Sequence, residues 1–155
     1  TAGTAFRRWS TDGQFQGAGD DFDLYLYYCP GGSCTQIASS TNAGSTESVD
    51  VLLPIPFDAD VFNPYLLFIH AFDTTGGEPA AAFFFDQSFG IVDDAGNLTV
   101  DAPDSAVAGT TVPVTVEWDG LVVGPGVKYL GAISHSDANG IQNLTFIDIQ
   151  NDNAE

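Results

Sequence analysis

The feature that most constrains this chain is its period-2 alternation of apolar and polar side chains. Phe22, Leu24 and Leu26 alternate with Asp21, Asp23, Tyr25 and Tyr27, so an extended segment here has one greasy and one wet face. Val49, Val51 and Leu53 repeat the pattern around Asp50, and Val112, Val114, Val116 and Trp118 repeat it against Thr111, Thr115 and Glu117. Two segments, Tyr65–Phe72 and Ala80–Phe85, are apolar on both faces, which predicts central strands covered on both sides. No segment carries a convincing amphipathic helical period. Turn chemistry punctuates the runs: Asp12-Gly13, Pro30-Gly31-Gly32, Asn42-Ala43-Gly44, Thr75-Gly76-Gly77, Asp94-Ala95-Gly96-Asn97, Asp119-Gly120 and Gly124-Pro125-Gly126. Short strands at this spacing predict an all-β protein without significant helix: an antiparallel β-sandwich with immunoglobulin-like or jelly-roll-like layering.

Length and charge narrow the function. At 155 residues with 44% hydrophobic side chains, the chain has material for one ordinary core or two small ones. The acidic turn at 93–97 divides it. Residues 1–93 form the first strand group, 97–150 supply about four further strands expected to pack on it as one unit, and 151–155 read as a tail. Asp and Glu number 21 against three Lys and Arg, a net charge of −18, and 17 of the acids are Asp. Such a surface repels phosphate backbones and anionic lipid, which argues against nucleic-acid and membrane partners. No apolar run approaches the roughly 20 residues of a membrane helix. The same charge suits Ca²⁺, high salt or basic partners. A chain opening on Thr1 is expected to be a processed piece of something longer.

Cys29 and Cys34 flank Pro30-Gly31-Gly32-Ser33 at the mouth of an expected hairpin, a separation that suits a disulfide and an oxidising, extracytoplasmic setting. Asp20, Asp21 and Asp23, with Asp12 in the preceding loop, are the best candidates for a Ca²⁺ site, since that ion collects about six to eight oxygens from carboxylates, carbonyls and water. The competing reading is a solvated sheet face in a protein that is acidic throughout. Asp93, Asp94 and Asn97, and Asp73 with Glu78, are weaker alternatives explained equally by turn formation. Tyr25 and Tyr27 point away from the leucines and are candidate contacts for a polymeric ligand. Their alternative is a covered second face. Arg7 and Arg8 are expected to pair locally with Asp, and Phe83-Phe84-Phe85 to be core. Asn97-Leu98-Thr99 and Asn143-Leu144-Thr145 match the glycosylation sequon. Catalysis finds little footing: His70 and His135 lie in strand contexts, there is no GxSxG elbow, and paired carboxylates in so acidic a chain are a weak signal for a small hydrolase.

In order along the chain, several runs look familiar together. Phe6-Arg7-Arg8-Trp9-Ser10 with Asp12-Gly13, followed by Asp20-Asp21-Phe22-Asp23-Leu24-Tyr25-Leu26-Tyr27, resembles the opening of bacterial pre-peptidase C-terminal domains. Ser39-Ser40-Thr41-Asn42 and Glu47-Ser48-Val49 resemble the next hairpin of that domain, and Tyr65-Leu66-Leu67-Phe68-Ile69-His70-Ala71-Phe72 its long apolar strand. Asn97-Leu98-Thr99-Val100-Asp101-Ala102-Pro103, Val114-Thr115-Val116-Glu117-Trp118 and Lys128-Tyr129-Leu130-Gly131-Ala132 are similar to the end of long C-terminal extensions of secreted bacterial subtilisin-like serine proteases. The chain departs from the pattern at Asn63-Pro64, at the Cys29–Cys34 pair and in the long 54–64 loop. The resemblance implies a non-catalytic sandwich attached or adjacent to a protease catalytic domain, assisting stability, secretion or binding of insoluble protein substrate outside the cell, with Ca²⁺ in some members. The alternatives are a carbohydrate-binding or adhesion module and, less favoured, a small hydrolase.

Overall fold

The computed structural model describes residues 4–13, 16–52, 65–75, 81–90, 93–122, 124 and 126–150. Ten strands follow one another: β1 (Thr4–Thr11), β2 (Asp21–Tyr28), β3 (Thr35–Ser40), β4 (Ser48–Leu52), β5 (Tyr65–Asp73), β6 (Phe84–Gly90), β7 (Leu98–Asp101), β8 (Thr115–Trp118), β9 (Lys128–Asp137) and β10 (Gly140–Gln150). Every pairing is antiparallel. Helical structure among the described residues is confined to 3-10 turns, at Gly13 and at Pro30–Gly32. The protein is thus all-β, as the alternation predicts, and no described helix is long and apolar enough to cross a membrane. The chain divides into two units, Thr1–Ile91 and Val92–Glu155, with the boundary just before the acidic turn.

The first unit is a sandwich of two three-stranded sheets, ordered β4–β1–β6 and β3–β2–β5. Trp9 and Val49 from one sheet meet Leu24 and Leu26 from the other in a buried cluster, flanked by Ala38, Val51, Tyr65, Leu67 and Ile69. Alternation decides who enters it. Leu24 and Leu26 face inward opposite Ile69 and Leu67 of β5, while Tyr25 and Tyr27 between them turn outward. Full burial of each leucine is worth about 2 kcal/mol. On the opposite face of β1, Phe6 is also buried, its ring 5.2 Å from that of Phe89.

Both arginines of β1 are tied to acids on neighbouring strands. Arg8 forks onto Asp50 of β4, with both nitrogen–oxygen distances 2.8 Å, and Arg7 forks onto Asp86 of β6. Pairing with Asp is as expected, but the partners lie 42 and 79 residues away along the chain. Each pair pins sheet register more than it stabilises the fold, because both aspartates remain partly hydrated.

The second unit holds two hairpin ribbons, β7–β8 and β9–β10. None of its described residues is fully buried. Gly131 on β9 is tight against β7: a Cβ there would lie 2.7 Å from Leu98 Cδ1.

Three expectations about strands are corrected. The strand expected from Val112 begins only at Thr115, because Pro113 offers no N–H to a ladder and restricts the residue before it. The strand expected at Ala80–Phe85 is β6, displaced to Phe84–Gly90, where Phe85, Gln87 and Phe89 are the half-buried set. Tyr65–Phe72 does form a strand, yet β5 lies at the side of its described sheet and only Tyr65, Leu67 and Ile69 turn toward the core. Leu66, Phe68 and Phe72 are exposed. Leu53, Gly76, Gly77, Glu78, Ala80, the 54–64 loop, Pro125 and the 151–155 tail lie outside the described residues.

Candidate binding face and the acidic residues around it

The outward surface of the β3–β2–β5 sheet follows from register alone. Asp23 lies opposite His70, Tyr25 opposite Phe68 and Tyr27 opposite Leu66, so one face carries all six side chains. Continuing the alternation along β5 adds Phe72. The result is a row of Leu66, Phe68, His70 and Phe72 beside a row of Asp23, Tyr25 and Tyr27. Leu66 and Phe68 are each 52% exposed and Phe72 is 68% exposed. The His70 ring lies near-parallel to Phe68 at 6.4 Å, edge-on to Phe72 at 6.3 Å, and 6.3 Å from Tyr25.

Asp23 sits under this surface, almost without solvent. Tyr25 donates its hydroxyl to Asp23 Oδ2 at 3.3 Å, and His70 Nδ1 lies 3.4 Å from the same oxygen. The Tyr25 phenol is held above its ordinary pKa, first by loss of surrounding water and then by the Asp23 charge and hydrogen bond. Tyr65, on the inner side of β5, is also raised, by burial first and then by Tyr28, whose ring lies 5.3 Å away.

The four aspartates expected to hold Ca²⁺ have separate surroundings. Asp12 is buried at the end of β1. Asp20 accepts from the Thr75 backbone N–H at 3.3 Å, Asp21 from that of Gly44 at 3.1 Å, and Asp23 from Tyr25. Among the described residues, no group of three or more His, Cys, Asp or Glu is gathered for an ion. These carboxylates order loops in the structure: Thr75 also donates to the Ala18 carbonyl at 2.7 Å, and Ser45 to that of Asp20 at 2.6 Å. Gly19 at φ +86° completes the turn; a Cβ there would lie 2.9 Å from Thr75 Oγ1.

Cys29 and Cys34 form the expected disulfide, with Cα atoms 3.9 Å apart, closing the turn between β2 and β3. Gly31 and Gly32 both take positive φ within this turn, a conformation costly for other residues. The bond fixes the end of β2 next to Tyr27 and Tyr28.

Two features depart from the sequence reading. One is the outer side of Leu66, Phe68 and Phe72, which residues 98–150 were expected to cover and which is exposed; the polar His70 between them marks this as the wetter face of the strand. The other is Glu47, 2% exposed, which accepts from Ser40 Oγ, from Asn42 N at 2.7 Å and from Asn42 Nδ2 at 3.0 Å. Its own N–H donates to Thr11 Oγ1 at 3.2 Å and its carbonyl accepts from Thr11 N at 2.9 Å. A buried carboxylate with this many donors is a structural knot joining the ends of β1, β3 and β4.

The two histidines have different surroundings. His70 faces an acid and aromatic rings, and His135 Nε2 meets Thr145 Oγ1 at 2.8 Å on an exposed ribbon. Among the described residues, neither bridges a nucleophile to an orienting carboxylate. Fold and surface together define a disulfide-tied antiparallel β-sandwich with an open aromatic sheet face. Comparisons with protein-family models, curated proteins and solved structures gave no match.

Proposed function

We propose that this chain is a non-catalytic accessory module of a secreted, subtilisin-like protease, and that it holds insoluble protein substrate on the outer face of its β3–β2–β5 sheet. The observation that carries the reading is the exposed row of Leu66, Phe68 and Phe72 beside Tyr25. A flat, aromatic, solvent-facing surface of this kind marks a contact area more often than an idle one. The disulfide fits an oxidising compartment outside the cytoplasm. The ordered motif resemblance supplies the protease context.

The test is retention of the full chain on suspensions of collagen, elastin and casein, with cellulose and chitin in parallel. Retention on one of the protein fibres, lost in the Phe68→Ser/Phe72→Ser variant, is the expected result. Retention on a polysaccharide alone replaces the reading with a carbohydrate-binding module, which the near-parallel Phe68 and His70 rings favour as a stacking surface. No retention anywhere removes the adhesive role. A stabilising role is tested separately, by the thermal inactivation of a protease carrying or lacking this segment.

A further inference from the structure

The partner's chemistry follows from what surrounds the aromatic row. We propose that the outer face of the β3–β2–β5 sheet docks an extended basic polypeptide segment, with alternate apolar side chains on Leu66, Phe68 and Phe72 and Lys or Arg side chains directed to Asp21 and Asp73. This rests on the reading of that face as a binding surface and specifies what it selects.

Charge is the first argument. A net charge of −18 leaves three Lys and Arg residues to offset 21 acids, and all three are engaged elsewhere. Arg7 and Arg8 are paired on the β4–β1–β6 sheet, and Lys128 lies 3.5 Å from Asp148 in the β9–β10 ribbon. Strands β2, β3 and β5 themselves carry no Lys or Arg. At the Phe72 end, a register shift sets Asp21 of β2 directly opposite Asp73 of β5. Like charges opposed across strands repel, and a cation brought between them relieves that repulsion. The hydrogen bond from Gly44 N leaves Asp21 half-exposed, and Asp73 is exposed, so both are reachable.

Spacing is the second argument. Leu66, Phe68, His70 and Phe72 occur at every second residue of a strand, which places successive side chains about 7 Å apart. A partner in extended conformation, lying along β5, presents its own alternate side chains at that interval. A helix does not match it. An acidic segment of the same apolar pattern meets uncompensated carboxylates and is rejected.

The proposal is tested with three fluorescent probes on the full chain: a Lys-Phe decapeptide whose Phe residues and terminal Lys occupy the same alternate positions, so that both face the sheet, its Glu-Phe counterpart with Glu for Lys, and poly-L-lysine. Anisotropy is read in low and high NaCl. The Lys-Phe peptide is expected to bind at least about tenfold more tightly than the Glu-Phe peptide, with the margin shrinking in high salt. Phe68→Ser/Phe72→Ser should weaken Lys-Phe binding about tenfold while leaving poly-L-lysine binding unchanged, since that polymer sees charge alone. Asp21→Asn/Asp73→Asn should reduce the preference for Lys-Phe over Glu-Phe. Equal binding of the two peptides, or Lys-Phe binding indifferent to the phenylalanine substitutions, overturns the proposal. The variants alter exposed side chains and the half-exposed Asp21, and an unchanged thermal transition verifies their folding. A chain retained on protein fibres without charge preference loses this inference and keeps the proposed function. A chain that binds Lys-Phe as described but no fibre keeps the inference and loses the function.

Discussion

The two units are made from the same material, antiparallel strands with alternating side chains, and differ in what that alternation accomplishes. In residues 1–91 two sheets face one another, and Trp9, Leu24, Leu26 and Val49 lose nearly all contact with water. In residues 92–155 the longest ribbon, β9–β10, is a ladder from Lys128↔Gln150 to Asp137↔Gly140 with one register shift between Ile141 and Asn143, yet no described residue of it is fully buried. Hydrogen-bonded strands are therefore not by themselves a core. The ladder sets geometry; exclusion of water from one of its faces sets stability.

The sharpest way to break this contrast is to truncate one side chain in each unit. Leu24→Ala should cost about 3 kcal/mol, because the hole it leaves between two sheets cannot collapse fully. Ile141→Ala, at a position 45% exposed on β10, should cost no more than about 0.5 kcal/mol. Urea denaturation measures both. The two tryptophans divide conveniently as reporters, with Trp9 buried in the first unit and Trp118 half-exposed in the second. Equal losses would mean that the two units draw on burial to the same degree.

A second pair of substitutions compares like chemistry in different surroundings. Glu47 in the first unit and Asp137 in the second each gather several donors; Asp137 accepts from Asn139 N at 2.7 Å and from Gln142 Nε2 at 3.1 Å. Glu47 is buried and Asp137 is exposed. Glu47→Ala should cost about 2 kcal/mol, because a buried carboxylate is removed and Ser40 and Asn42 lose their shared acceptor. Asp137→Ala should cost about 0.5 kcal/mol or less, because water replaces it. Thermal melts of the two variants give the answer.

The smallest effect is alkaline. Tyr25 and Tyr65 both ionise above the ordinary phenol value of 10.0 in the folded chain. Between that value and the raised ones, the folded state keeps protons that the unfolded state has released. Their contribution to stability is complete below pH 10.0 and declines as the pH climbs through the window. With Trp118→Phe leaving Trp9 as the sole tryptophan reporter, urea midpoints should fall above that pH, and Tyr25→Phe/Tyr65→Phe should flatten the fall. An unflattened curve would assign the alkaline loss to other groups.

The contrast between units also explains what could be read from residue order. Asp21–Tyr27 was legible because each face of β2 has its own chemistry, so Phe22, Leu24 and Leu26 announced the core directly. The Cys29–Cys34 hairpin was equally plain, since so short a loop leaves the two sulfurs little choice. Tyr65–Phe72 was legible as a strand but not as an outer one: apolar residues on both faces fit double coverage and an exposed sticky row alike, and strand order alone distinguishes them. Val112–Val114 misled because alternation outvoted Pro113. The acidic run was hard to read for a different reason. Adjacent aspartates can converge on an ion or disperse onto backbone N–H groups, and Gly44 and Thr75, which take up Asp21 and Asp20, lie 23 and 55 residues further along the chain. Glu47 carried no sign of burial, because the knot closes only when Thr11, 36 residues earlier, meets it alongside Ser40 and Asn42.

The pairing of every Lys and Arg with an aspartate has a consequence for how this chain ages. Proteases that cut after basic residues have three bonds to attack here, following Arg7, Arg8 and Lys128. All three lie within strands, behind carboxylates that must first let go. Cleavage by such an enzyme then proceeds only as fast or as often as β1 or β9 detaches, and the digestion rate becomes a clock for strand opening.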